Sequence, residues 1–274
     1  MKKAILISLA AVAMLASCTG NKQKAADETT VEEQKSFEQA QIESYIKVQV
    51  DSLASEFSKM DFSSSLTRSL QEGRIILSEE SKAVAPEYLI DPAVTNDLVT
   101  LSQKYRAVAV LSADKLIAEA YDKPVDEYDA ALKKLVADID DSAFKNLVDG
   151  DEAGKSHEEL ITAFYNDEDA NGRINFFWET TTALLVEELY ILSEDTNNEF
   201  ISAFDDAAAD NVTYRIALFQ NALESLKEYC PEISQLCESI KPLQRLNAVS
   251  AEQFKQQVSE MHKDIKTIRE DLLK

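Results

Sequence analysis

Apolar residues recur along most of this chain at alternating intervals of four and three, the spacing that stacks side chains on one face of an α-helix. The first stripe is Ile46, Val50, Leu53, Phe57 and Met60, on a helix predicted from about Val31 or Lys35 to Met60. Between Phe62 and Val84, Leu66 and Leu70 suggest a helix that Gly73 interrupts ahead of Ile75-Ile76-Leu77. Pro86 and Pro92 bracket a loop. Asp91 as cap and Pro92 as first helical residue then predict a long helix carrying Val94, Leu98, Leu101, Tyr105 and Val108. Pro124 ends it and opens the next, whose buried face is Tyr128, Leu132, Leu135 and Ile139. The polar stretch Asp140 to Lys155, with Gly150 and Gly154, reads as the main internal loop and as a subdomain boundary.

Ser156 with Glu159 forms a capping box that opens another helix. Ile174 to Leu192 is the most apolar segment after the N-terminal region: Ile174, Phe177, Leu184 and Ile191 share one face, and Trp178, Leu185, Leu189 and Leu192 the next. Two adjacent apolar faces predict a helix surrounded by others. Glu179, Glu187 and Glu188, with Thr180 to Thr182, interrupt the run and exclude a membrane span. Thr196 and Glu199 form a second capping box ahead of Phe200 and Phe204. Val212, Ile216, Phe219, Leu223, Leu226 and Cys230 make a stripe that Pro231 breaks, and a short helix to about Ile240 and a loop at Pro242 follow. Ser250 and Gln253 cap the last helix, with Phe254, Val258, Met261, Ile265, Ile268 and Leu272 on its stripe.

The whole chain holds five glycines and five prolines, and Ala, Leu, Glu, Lys and Gln are frequent throughout. Few breakers and few alternating β-branched runs predict an all-α fold: an antiparallel, left-handed bundle of about six to eight helices. No fixed repeat period of the solenoid type is present.

The N-terminus follows a different pattern. Lys2 and Lys3 precede an apolar run from Ala4 to Leu15, too short for a permanent span, and a small-residue region ends it, which is the layout of a secretory signal. Leu15-Ala16-Ser17-Cys18 resembles the bacterial lipobox. The resemblance implies a signal peptide (1–17), acylation of Cys18, and permanent attachment to a membrane through several acyl chains. Thr19 stands where an aspartate would retain an enterobacterial lipoprotein in the inner membrane, so the resemblance implies the outer membrane. Acids first appear at Asp27 and Glu28, which favours the periplasmic face over surface display. Residues 18–33 lack periodicity and read as a flexible tether with a reach of about 20 Å, leaving 34–274 as the helical domain.

Removing Lys2 and Lys3 with the signal leaves 26 of the 28 basic residues against 50 acidic ones, a formal charge of about −24. That excludes nucleic acid and repels anionic headgroups, so membrane contact runs through the lipid. The acidity fits solvated helix faces, a bound cation or a basic partner.

Candidate chemistry is sparse. Cys230 and Cys237, in an oxidising compartment, read either as a disulfide or as two buried thiols. On one continuous helix they would stand about 10 Å apart, so a bridge needs the bend that Pro231 allows, and would contribute about 2.5 kcal/mol. His157 lacks a second histidine four residues on, and His262 lies beside the final stripe, facing solvent. No nucleophile elbow, P-loop or dinucleotide fingerprint occurs. Asp167-Glu168-Asp169-Ala170-Asn171-Gly172-Arg173-Ile174 resembles the first eight positions of an EF-hand loop. The resemblance implies Asp167, Asp169 and Asn171 as side-chain ligands of calcium and Arg173 as carbonyl ligand. The twelfth position, however, is Trp178, with Glu179 one residue late, so the stretch reads first as a helix–helix turn rich in Asp, Asn and Gly and second as a calcium site. Phe176, Phe177 and Trp178 read as core or as the lining of a ligand pocket. Asp51-Ser52-Leu53 and Asp141-Ser142-Ala143 resemble short bacterial O-glycosylation sites.

Three functions are therefore expected, in this order. The first is a non-enzymatic helical interaction or scaffold module of the cell envelope with a protein or envelope partner. The second is a ligand- or cation-binding lipoprotein, with calcium as the cation. The third is a hydrolase built on two carboxyl groups that face one cleft with a raised pKa.

Overall fold

The computed structural model describes residues 25–61, 65–84, 86–141, 144–145, 156–195 and 197–274, and every regular element among them is helical. The signal peptide and Cys18 lie outside the described residues, as do Ser142, Thr196 and the side chain of His157. Residues 1–44 and 45–274 are separate compact units, and the packing below is that of the second. The boundary expected near 140–155 falls largely outside the described residues.

Eleven α-helices are described: α1 (Ala25–Ser58), α2 (Leu66–Gln71), α3 (Glu79–Lys82), α4 (Leu101–Ala120), α5 (Asp126–Ile139), α6 (His157–Ala170), α7 (Ile174–Glu194), α8 (Asp206–Leu226), α9 (Ser234–Ser239), α10 (Ala251–Glu260) and α11 (His262–Leu272). The number exceeds the expected range because α2, α3 and α9 are only one or two turns long and the last stripe is divided at Met261. α1 begins inside the stretch read as a tether, since no glycine or proline interrupts the Ala- and Glu-rich residues from Ala25 onward. Asp91 does accept from the Ala93 N–H, but it caps a short 3₁₀ turn, Pro92–Asn96. The long helix behind it starts at a capping box of Thr100 and Gln103. Ser156 and Glu159 form the predicted box on α6. The predicted Thr196–Glu199 box rests on Thr196, outside the described residues; Asp195 takes the N–H groups of Glu199, Phe200 and Ile201, and the Glu199 carboxylate accepts from Ser78.

α7 is the centre of the second unit, and α4, α6, α8, α10 and α11 pack around it. Phe177, Trp178, Ala183, Val186, Leu189 and Ile191 are completely buried. α4 and α7 run in the same direction: Tyr105 stacks on Phe176 near their beginnings, and farther along both helices Asp114 and Glu187 share Arg269. α5 runs opposite to α4, with Lys104 on Asp138 and Lys115 on Asp129. α8 and α11 run opposite to α7. The parallel α4–α7 pair departs from a strictly antiparallel expectation. The ends of α5 and α6 meet at one corner, where Asp141 lies with Glu168.

Candidate functional site

A helix covered on all sides has no solvent-facing stripe on which to place charge, so the acids of α7 point inward and must find partners there. Glu179 lies 3.5 Å from Arg106 of α4 and accepts from Ser102 and Asn175. Glu188 pairs with Arg215 of α8 at 3.1 Å and accepts from both the N–H and the hydroxyl of Thr67. Glu187 receives a forked pair from Arg269 of α11, whose guanidinium also covers the Tyr190 ring at 4.3 Å. Burial raises the carboxyl pKa of Glu179 against the pull of Arg106.

Two of these clusters contain two acids to one arginine. At the corner before α7, the Tyr105 hydroxyl lies 2.9 Å from both Asp141 and Glu168. Arg173 contacts Asp141 at 2.5 Å and Glu168 at 3.3 Å. Burial, followed by the neighbouring Asp141, pushes the Glu168 carboxyl up to about 8. Burial acts on Asp141 too, but hydrogen bonds from Glu168, the Phe144 N–H and Tyr105 hold it below its ordinary value. The opposite shifts place the proton of the pair on Glu168 below about pH 8, with the charge on Asp141. The second cluster is Asp114, Glu187 and Arg269. The acid pairs a carboxylate hydrolase requires are present, but all four side chains are closed off from solvent.

The residues expected to hold calcium do not converge on one point. α6 continues through Asp167 and Asp169 to Ala170, and Gly172, at φ +69°, terminates it. Asp167 accepts from the Asn171 amide, Asp169 pairs with Lys47 at 3.0 Å, and Arg173 turns to Asp141 and Glu168. Among the described residues, no group of three or more His, Cys, Asp or Glu is placed to hold a metal ion. Asp169 opens onto a polar groove of about 390 Å³ between α1 and α6, beside Lys47, Asp51, Lys59, Glu158 and Tyr165.

Cys230 is half-buried and Cys237 buried, both as thiols in this structure. Burial and nearby acids push each up to about 11. His262, expected to face solvent, meets Ser193 at 3.1 Å and Glu194 at 3.7 Å. Trp178 is core, packed among Phe57, Phe177 and Phe219. On the outer side of α1, Tyr45 and Val48 are each 64% exposed.

Arg106, Asp114, Arg215 and Arg269 were missed in the sequence. A signal for them was present, since glutamates inside the most apolar segment require buried partners. No family model, curated protein or solved structure matches this chain.

Proposed function

We propose that this chain is a lipid-anchored, non-enzymatic helical module of the bacterial cell envelope, attached to the outer membrane through Cys18 and meeting a protein or envelope partner with its helix surface. The observation that carries this reading is the use made of buried charge: the acids of α7 are held by arginines and hydroxyls of other helices, so they fasten helices together. Within the domain, the stripes on α1, α8 and α10–α11 act as antiparallel heptad seams. The acidic exterior, with Tyr45 and Val48 open on α1, suits a basic partner surface with an apolar centre. A photo-crosslinking residue at Tyr45 or Val48, in cells, tests this in the lipidated chain and in Cys18→Ala. A stoichiometric protein adduct that weakens without the anchor supports the proposal. Chains free of adducts at both positions in both forms overturn it.

The groove beside Asp169 favours a second reading, a ligand- or cation-binding lipoprotein. Trp178, the only tryptophan, reports on it through fluorescence. A calcium-dependent change reversed by chelator supports a calcium site, and identical spectra with either reject calcium.

A further inference from the structure

Residues 86–91 form no helix, and Ile90 binds this segment over the Asp114–Glu187–Arg269 cluster. The Ile90 N–H donates to Asp114 Oδ2 at 2.7 Å, and its carbonyl accepts from the Tyr128 hydroxyl at 2.9 Å. The Tyr88 ring stands edge-on to Tyr190. Asp114 and Glu187 are fully buried, and the Arg269 side chain is 10% exposed. With both acids ionised, this enclosed group carries an excess negative charge; with one proton it is neutral.

The geometry places that proton. Arg269 forks onto Glu187 with contacts of 2.8 and 2.9 Å and reaches Asp114 by a single contact of 3.2 Å. Glu187 therefore takes the larger share of the guanidinium. Asp114 Oδ1 is buried and meets no hydrogen-bond partner, and Arg269 holds Asp114 the more weakly, so Asp114 is the member left to carry the proton. We propose that residues 86–91 are a proton-controlled strap, closed over the cluster while the Asp114–Glu187 pair holds one proton and released when that proton leaves. The step breaks the Asp114 O–H bond and passes the proton to solvent base, leaving a second buried carboxylate whose charge Arg269, already forked onto Glu187, does not balance and which hydration favours. α4, α7 and α11 are fixed by apolar faces, whereas the strap is a half-buried, non-helical cover.

The charged and titratable groups around Asp114 are Glu187 and Tyr190 from α7, Arg269 from α11, Tyr128 from α5, and Tyr88 and Asp91 from the strap. Burial first, then the Glu187 charge, raise the Asp114 carboxyl well above its ordinary range, against Arg269 and the Ile90 N–H. A raised folded-state value means the closed form is favoured most at low pH and loses that advantage as pH rises through it.

Hydrogen exchange on the full chain from about pH 5 to about pH 9 tests the strap, comparing wild type with Asp114→Asn. Asparagine keeps an acceptor for Ile90 and presents an N–H where the acid has its proton. Relative to this variant at the same pH, which cancels intrinsic exchange, protection of the 87–91 amides in wild type falls by up to tenfold per pH unit. Glu187→Gln, which leaves a single acid for Arg269, abolishes the same dependence and serves if the asparagine variant does not fold. Protection that tracks the variant at every pH, that falls toward acid, or that is lost together with the α4 and α7 amides overturns the proposal.

Discussion

Gly172 holds the turn on which the corner before α7 depends. Its φ of +69° lets the Arg173 N–H reach the Glu168 carbonyl at 2.7 Å, aiming Arg173 back at Glu168 and Asp141. An added Cβ there meets nothing within 4 Å. Gly172→Ala therefore carries only the backbone penalty, and its urea midpoint should fall by the equivalent of about 1–2 kcal/mol. The turn itself was legible from Asp, Asn and Gly in sequence. The fate of its carboxylates was not, because α6 runs on through Asp169 and helical geometry spreads Asp167 and Asp169 around its axis. Cys230 and Cys237 are the other residue-scale question. Protein purified from an oxidising compartment should show an intact mass lighter by two hydrogens than after reduction if they are bridged. An unchanged mass leaves them as thiols of raised pKa, slow to react at neutral pH.

Among the helices, the apolar stripes were legible wherever one face of a helix is buried. Val212, Ile216, Phe219, Leu223 and Leu226 lie inside as the spacing required, and so do Phe254, Val258, Met261, Ile265, Ile268 and Leu272. α4 was harder to read. Ala107 to Leu111 are all buried, covering every direction around the helix, so no stripe marks its core face, and Leu101 at its start is 40% exposed. Its beginning was also misplaced, because Asp91-Pro92 is a strong signal that serves a 3₁₀ turn, while Thr100 and Gln103 went unread. The locks between helices join residues far apart in the chain, 155 positions in the case of Asp114 and Arg269, and no local pattern connects them. The cations described on the acids of α7, Arg106, Arg215 and Arg269, come from other helices and are arginines, whose planar forks can satisfy more than one acceptor, while lysines pair with exposed acids, as Lys82 does with Asp122. Arg269→Met leaves Glu187 buried without its cation and should destabilise the domain by about 3–5 kcal/mol. Lys82→Met should leave the denaturation midpoint in place, and an Arg269→Met midpoint equally unmoved would show that the lock contributes nothing.

For the molecule as a whole, the acid pairs set the response to pH. Glu168 is raised to about 8, so its contribution is complete below the ordinary glutamate range and is lost as pH rises through about 8. Asp141 is depressed and acts in the opposite sense, its contribution fading as pH falls through its lowered value. Glu168→Gln should accordingly flatten the decline in denaturant midpoint between about pH 5 and about pH 9, and a variant that declines as wild type does would contradict the shared proton. The cation that neutralises the centre belongs to α11, and the Gln103 amide also bonds the backbone carbonyls of Leu273 and Lys274. A chain synthesised from its N-terminus delivers Arg269 after α4 and α7, the helices it joins. Until then Asp114 and Glu187 have no arginine between them, and water is their better solvent. Docking of α11 is thus the step that neutralises the centre, and a domain without α11 would leave the Asp114–Glu187 pair better placed in water than in the core.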